Sequence, residues 1–149
     1  MSKLPAQMSG EWQRSVGSNG AQPGQFNSLY GLALTPDEDF LLVVDNGNRR
    51  VAVLRALDGV WVRQLTGPPG RLISPHYAAV VPSTGEVLVS DIGRDRVFRF
   101  RSIDDDTVVG TLGTGAGSGL TKFQCPHGLA VLEAPLHPVV CLVFAFFVW

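Results

Sequence analysis

The stretch "VVDNGNRRVAVL", residues 43–54, returns 46 residues later as "VSDIGRDRVFRF", residues 89–100. In both copies an apolar run ends in an aspartate, Asp45 or Asp91 (91 − 45 = 46), and a polar turn with a glycine follows. An arginine then precedes a second apolar run, with the same offset between the copies. A period of roughly 20–50 residues is typical of solenoids, propellers and other repeat architectures. The sequence therefore predicts a repeat protein.

Within each unit the apolar runs have the length and composition of β-strands. In the first unit, "LYGLALT", "DFLLVVD", "RRVAVLR" and "GVWVRQLTG" are separated by turn residues such as Pro36 and Gly59. The second unit has four runs of the same kind. Four short strands in a unit of this length are the plan of a propeller blade. We therefore predict an all-β chain, a partial β-propeller of four-stranded antiparallel blades.

The repeats also divide the chain. We expect three segments: a flexible N-terminus over 1–10, the repeat region over 11–133 and an apolar C-terminal tail over 134–149. Within the repeat region the units lie at about 24–69, about 70–118 and, incomplete, at 119–133. Because the repeat pattern stops there, the chain is expected to be truncated. The tail's continuous apolar run is too short to cross about 30 Å of hydrocarbon as a helix, so no membrane span is predicted.

The first copy, "FNSLYGLALTPDEDFLLVVDNGNRRVAVL", resembles an NHL repeat. That family's pattern runs from a Pro-x-Gly strand to an aspartate, a small turn, an asparagine, a variable residue, an arginine and a valine. In the second copy Arg94 stands where the family prefers asparagine, and Tyr77 replaces the usual glycine. The resemblance covers residues 11–133. The polar motif positions that match are Asp45, Asn48, Arg50, Asp91 and Arg96.

The repeated motif has a structural interpretation. An aspartate at the end of a strand accepts hydrogen bonds from turn amides. An arginine five residues later reaches across the hairpin to the same carboxylate. We therefore predict that the motif closes a hairpin in each blade and does not itself carry out chemistry.

Two histidines occupy the same place in consecutive units. His76 and His127 both follow a proline, in the strands that would line the channel of a propeller, and two imidazoles facing one channel can share a metal. The segment "CPHGLAV" resembles the corresponding strands of the peptidylglycine amidating lyases, which implies a channel zinc. The first unit has Leu29 and Tyr30 in place of the proline and histidine. The main expectation is no cofactor and no catalytic residue, with a zinc-dependent lyase as the alternative.

Arginines are concentrated in the middle of the chain. Between Arg49 and Arg101 the sequence has nine arginines against four acidic residues. Strand alternation places Arg99 and Arg101 on the face opposite two phenylalanines, and Arg94 lies in the preceding turn. Arginine-rich surfaces suit acidic peptides and phosphate backbones. As the NHL resemblance implies a platform for proteins and sometimes single-stranded RNA, we predict a non-enzymatic scaffold that binds a protein, an acidic peptide or RNA through these three arginines.

The composition of the chain restricts which classes of protein and partner are plausible. The chain has 149 residues, 45% of them apolar, and a net charge of −1, which gives no global attraction to nucleic acid. Cys125 and Cys141 show neither a disulfide framework nor a zinc-finger spacing. The first residues lack the apolar core of a secretory signal, so a cytoplasmic location is expected. An incomplete ring of blades leaves apolar faces, so self-association is expected as well.

Overall fold

The computed structural model describes residues 14–117, 122–134 and 137–145. The predicted N-terminal segment 1–10 lies outside these ranges. In the described part of the chain the helical structure is a single short 3-10 turn, and all other regular elements are strands. No helix in that part has the length and apolar character needed to cross a lipid bilayer. The predicted all-β fold is confirmed.

The first blade is a four-stranded antiparallel sheet with its strands in chain order. Before it, two short strands pair in parallel: β1 (Ser18–Asn19) and β2 (Gln25–Phe26). The blade itself consists of β3 (Leu29–Leu34), β4 (Phe40–Asp45), β5 (Arg50–Arg55) and β6 (Trp61–Leu65). The 3-10 turn Asn46–Asn48 joins β4 to β5. Both faces of β4 and β5 are buried, which explains why their sequences are continuously apolar.

The second blade repeats this plan. Its antiparallel strands, again in chain order, are β7 (Pro75–Val80), β8 (Val87–Asp91), β9 (Arg96–Ser102) and β10 (Asp105–Leu112). An antiparallel hairpin follows, formed by β11 (Pro126–Ala134) and β12 (His137–Ala145). The start of the predicted third unit is thus β11, and most of the apolar C-terminal segment pairs with it as β12. The prediction of four-stranded antiparallel blades is confirmed.

The two blades share one apolar core. Strand alternation turns every second side chain of each blade toward the other, and these residues form a single buried cluster. Its members from the first blade are Leu42, Val44, Val51, Val53 and Leu65. From the second unit it includes Leu72, Ala78, Val87, Val89, Phe98 and Phe100. The blades therefore stack face to face, as the blades of a propeller do.

The outer faces of the blades are covered too. Residues Phe26, Val43, Ala52 and Leu54 form a second buried cluster on the far side of the first blade. On the far side of the second blade a third cluster includes Leu129 of β11. Strand β3 contacts β7, and β7 contacts β11, so the first strands of successive units lie side by side. This arrangement decides which side chains of β3, β7 and β11 meet.

Part of β3 remains uncovered. Leu32 and Leu34 are each more than half exposed, and Tyr30 is exposed beside them. Contiguous apolar surface of this kind is a common feature of association sites. The self-association expected from an incomplete ring of blades stays a prediction.

Candidate binding site

The first of the repeated aspartates is enclosed by hydrogen-bond donors. Asp45 has no exposed surface, and one carboxylate oxygen accepts a 2.8 Å bond from the backbone N–H of Asn27. The other oxygen accepts bonds of 2.8 Å from Asn48 Nδ2 and 2.8 Å from Arg50 Nε. The first blade therefore contains the Asp–Arg contact expected from the spacing, and it ties the β4–β5 hairpin to the segment before β3.

Arg50 is occupied by partners from its own blade and from the segment before it. Its guanidinium donates to the backbone carbonyls of Ala21 (2.9 Å), Gln22 (3.3 Å) and Gln25 (2.7 Å), and to Gln64 Oε1 at 3.1 Å. Its central carbon lies 4.7 Å from the centre of a Trp61 ring. With 5% of its surface exposed, this arginine has a structural role, although it also lines an open pocket together with Trp61 and Arg63.

The second blade differs at the equivalent place. Asp91 is also fully buried, but its carboxylate accepts from three backbone N–H groups: Ile73 at 2.7 Å, Ser74 at 3.0 Å and Gly93 at 2.9 Å. Arg96 is the register partner of Asp91 across β8 and β9. Between these two described residues the structure has neither a hydrogen bond nor an ion pair. The predicted Asp–Arg contact is therefore present in one blade and missing in the other.

Arg96 instead lines an open pocket of about 500 Å³. Arg71 and Arg94 line the same pocket, and we call these three residues and the space they surround the arginine pocket. Arg71 lies over the ring of Phe98, 5.6 Å from its centre, and Arg94 Nη2 donates to the Gly70 carbonyl at 2.7 Å. The other lining residues are Pro68, Pro69, Gly93 and Asp95. Three arginines thus line one concave surface.

One acidic side chain lies among these arginines. Asp95 lines the pocket, and its Oδ1 accepts a 2.9 Å bond from the backbone N–H of Cys125. In the described residues no ion pair joins Asp95 to any of the three arginines. The lining residues therefore carry three positive charges and one negative charge, an excess of two.

The repeat offset shows how the two blades diverge. Arg71 stands 46 residues after Gln25, and Arg94 stands 46 residues after Asn48. Two neutral side chains of the first unit are thus replaced by guanidinium groups in the second. Arg96 also lacks the aspartate contact that Arg50 has, so the second unit has three arginines at this place where the first has one buried arginine.

The three arginines predicted as a binding surface do not stay together. Arg99 donates to both carboxylate oxygens of Glu86, at 3.1 and 2.9 Å, and this hydrogen bonding raises the pKa of Arg99. Arg101 Nε lies 3.3 Å from an Asp105 oxygen. Only Arg94 joins the arginine pocket. Sequence reasoning did not single out Arg71, although its alignment with Gln25 was a usable signal.

The two histidines do meet. His76 of β7 and His127 of β11 approach with their Nδ1 atoms 3.1 Å apart and their rings perpendicular. The ring of Tyr30, which stands 46 residues before His76, lies 4.1 Å from the His76 ring. Burial, followed by the proximity of His127, lowers the pKa of His76. The described residues contain no group of three or more His, Cys, Asp or Glu side chains arranged to hold a metal ion.

The His76 environment predicts a pH-dependent stability. Since the pKa of His76 is lower in the folded chain than the ordinary value of 6.5, the unfolded chain takes up a proton first. Above pH 6.5 His76 is neutral in both the folded and the unfolded chain, so it does not reduce stability there. Below pH 6.5 the unfolded chain binds the proton more readily, and we expect the free energy of unfolding to fall. Urea unfolding at a series of pH values measures this loss. His76→Gln should show a smaller decrease than the wild-type chain, and equal decreases would contradict the prediction.

Comparison with known proteins supports the fold and does not identify a family. No family model matches the chain, and no curated protein sequence is significantly similar to it. Among solved structures, Kuenenia stuttgartiensis hydrazine synthase is similar over 83% of this chain, with a TM-score of 0.57 and 15% sequence identity. The chain spans 29% of the length of that protein chain. At this level of identity the likeness concerns the fold alone.

Proposed function

We propose that this chain is a non-enzymatic binding scaffold, an NHL-like partial propeller that recognises an acidic segment of a protein partner. The observation that carries the proposal is the arginine pocket, where three arginines line one concave surface beside a single acidic residue. Arginine is suited to this task because its planar fork binds carboxylate and phosphate groups with two parallel hydrogen bonds.

The pocket favours a protein partner over single-stranded RNA. RNA-binding surfaces stack unpaired bases on accessible aromatic rings. Phe98, the aromatic residue that lines the pocket, is 2% exposed and lies beneath Arg71. It therefore offers no stacking surface, whereas the arginines around it supply charged donors that suit acidic side chains.

The predicted residues Arg99 and Arg101 have a secondary part in this proposal. Their ion pairs with Glu86 and Asp105 are partly exposed to solvent. Exposed pairs of this kind contribute little to stability and exchange readily with water or another anion. We therefore assign the main contacts to the pocket, and assign Arg99 and Arg101 secondary contacts in which an anion of the partner displaces Glu86 or Asp105.

Fluorescence anisotropy with a labelled glutamate-rich peptide tests the proposal. We expect Arg71→Gln and Arg94→Gln each to weaken binding about tenfold, because each removes a charged hydrogen-bond donor. Arg55→Gln is the matched control, since Arg55 lies in the first blade and pairs with Asp58. Added salt should weaken binding as well. Equal losses in all three variants, or binding of RNA and not of peptide, would contradict the proposal.

The zinc-dependent lyase remains the second candidate, because the two histidines do lie together at 3.1 Å between their Nδ1 atoms. Zinc analysis of the purified chain separates the candidates. Stoichiometric zinc that is lost in His76→Ala and His127→Ala would favour the lyase. Zinc below stoichiometry in the unchanged protein would favour the scaffold.

A further inference from the structure

We propose that the arginine pocket binds a phosphate monoester dianion, presented as phosphoserine or phosphothreonine on the partner protein. This inference rests on the proposed scaffold function and specifies the group that the pocket recognises. Three features of the pocket support it: arginine N–H groups without an acceptor in the protein, the net charge of the lining residues and the number of arginines.

The donors of the second blade are available, unlike those of the first. In the first blade the chain's own carbonyls, a carboxylate and a side-chain amide occupy the guanidinium of Arg50. In the second blade Arg96 lacks the aspartate contact, and its described neighbours in the pocket include two further arginines. A guanidinium has five N–H donors, and Arg94 uses one of its nitrogens on the Gly70 carbonyl. The arginine pocket therefore retains many donors for an external acceptor.

The charge of the pocket matches a dianion. Three guanidinium groups and the Asp95 carboxylate leave an excess of two positive charges among the lining residues. Asp95 is held at the edge by the Cys125 N–H. A phosphate monoester carries a charge of about −1.5 to −2 at neutral pH, whereas a carboxylate carries one. The two charges of a phosphate monoester thus match the excess among the lining residues, while the buried Asp91 carboxylate, bonded to the lining Gly93, lowers the positive charge behind them.

The number of arginines also matches phosphate. A carboxylate has two oxygens, which one arginine fork satisfies. A phosphate monoester has three terminal oxygens that accept several bonds each, and clusters of arginines are a recurring way to recognise it. Arg71 and Arg94 are already held in place, by the Phe98 ring and by the Gly70 carbonyl. Binding therefore requires less ordering of these side chains than it would on an open surface.

Titration of the isotopically labelled chain with acetyl-phosphoserine-methylamide, followed by NMR, tests the inference. We expect saturable shifts of the backbone amides of Gly70, Gly93 and Arg94, and about tenfold weaker binding in Arg71→Gln and in Arg96→Gln. Arg55→Gln removes a charge from the first blade, away from the pocket, and should bind like the wild type. Affinity should fall as the pH drops below about 6, where the phosphate gains a proton. Unchanged amide dispersion in each variant verifies that the fold is intact.

The same titration with other probes distinguishes a phosphorylated protein from other phosphate-containing ligands. Inorganic phosphate and dimethyl phosphate replace the phosphoserine compound, and an unphosphorylated glutamate-rich peptide tests the scaffold itself. Binding of the glutamate peptide with no preference for phosphoserine overturns this inference and leaves the proposed function standing. Equal binding of dimethyl phosphate, a phosphodiester, overturns it in favour of nucleic acid. Binding of inorganic phosphate alone also overturns it, and binding of none of these probes overturns both proposals.

Discussion

Asp45→Ala is expected to lower the free energy of unfolding by about 3–5 kcal/mol, the range for breaking a buried ion pair by removing one partner. The substitution leaves the Arg50 guanidinium, which is 5% exposed, without its carboxylate. It also leaves the Asn27 N–H and the Asn48 amide without their acceptor. Urea unfolding followed by circular dichroism measures the change.

The second blade supplies the matched comparison. Asp91→Ala removes an equally buried carboxylate, but one that accepts from backbone N–H groups and has no arginine contact. Each of the three N–H groups loses an acceptor, at a cost of about 1–3 kcal/mol for a buried donor, but no charged side chain loses its partner. A double-mutant cycle between Asp45→Ala and Arg50→Ala should show strong coupling, whereas the cycle between Asp91→Ala and Arg96→Ala should show little. Equal coupling in the two blades would show that the distinction drawn from the hydrogen bonds is wrong.

Phe100→Ala should destabilise the chain by about 3–5 kcal/mol, because it opens a cavity in a close-packed core. Phe100 is fully buried in the cluster that both blades share. As the core is shared, we expect amides of the first blade to lose protection against hydrogen exchange together with those of the second. Exchange rates measured by NMR for β4, β5, β8 and β9 provide the test.

Leu57→Ala is the control for this prediction. Leu57 is 86% exposed, so removing its side chain should change stability by less than about 0.5 kcal/mol. If Phe100→Ala speeds exchange in β8 and β9 while β4 and β5 keep their protection, the blades unfold independently. The face-to-face core would then be a contact between separate units and not a single cooperative structure.

The strands of both blades could be predicted from sequence because the signals are local. Apolar runs of strand length, turn residues between them and the 46-residue offset all lie within short stretches of chain. The contact between Asp45 and Arg50 could be predicted for the same reason, since a tight hairpin brings residues five apart into register. The C-terminal strand β12 lacks a repeat signature, and sequence reasoning left its structure open.

The arginine pocket could not be predicted in this way, because it depends on contacts between distant segments. Arg71 lies in the connector before β7, and it meets Arg94 and Arg96 only when that connector folds against the β8–β9 turn. Likewise, strand alternation placed Arg99 on the face opposite the phenylalanines. It could not show that Glu86 lies close enough to form an ion pair with Arg99. Pairing of this kind depends on register, which the apolar pattern alone does not determine for individual side chains.

The different fates of Arg50 and Arg96 have a consequence for how this chain can evolve. In the first unit the arginine is an internal part, so nearly every replacement there would damage the fold. In the second unit Asp91 is satisfied by backbone N–H groups, which every non-proline residue supplies whatever its side chain. Position 96 therefore does not have the ion-pair role that position 50 has in the first unit. A substitution at position 96 can therefore change which ligand the second unit prefers while the framework of the blade persists.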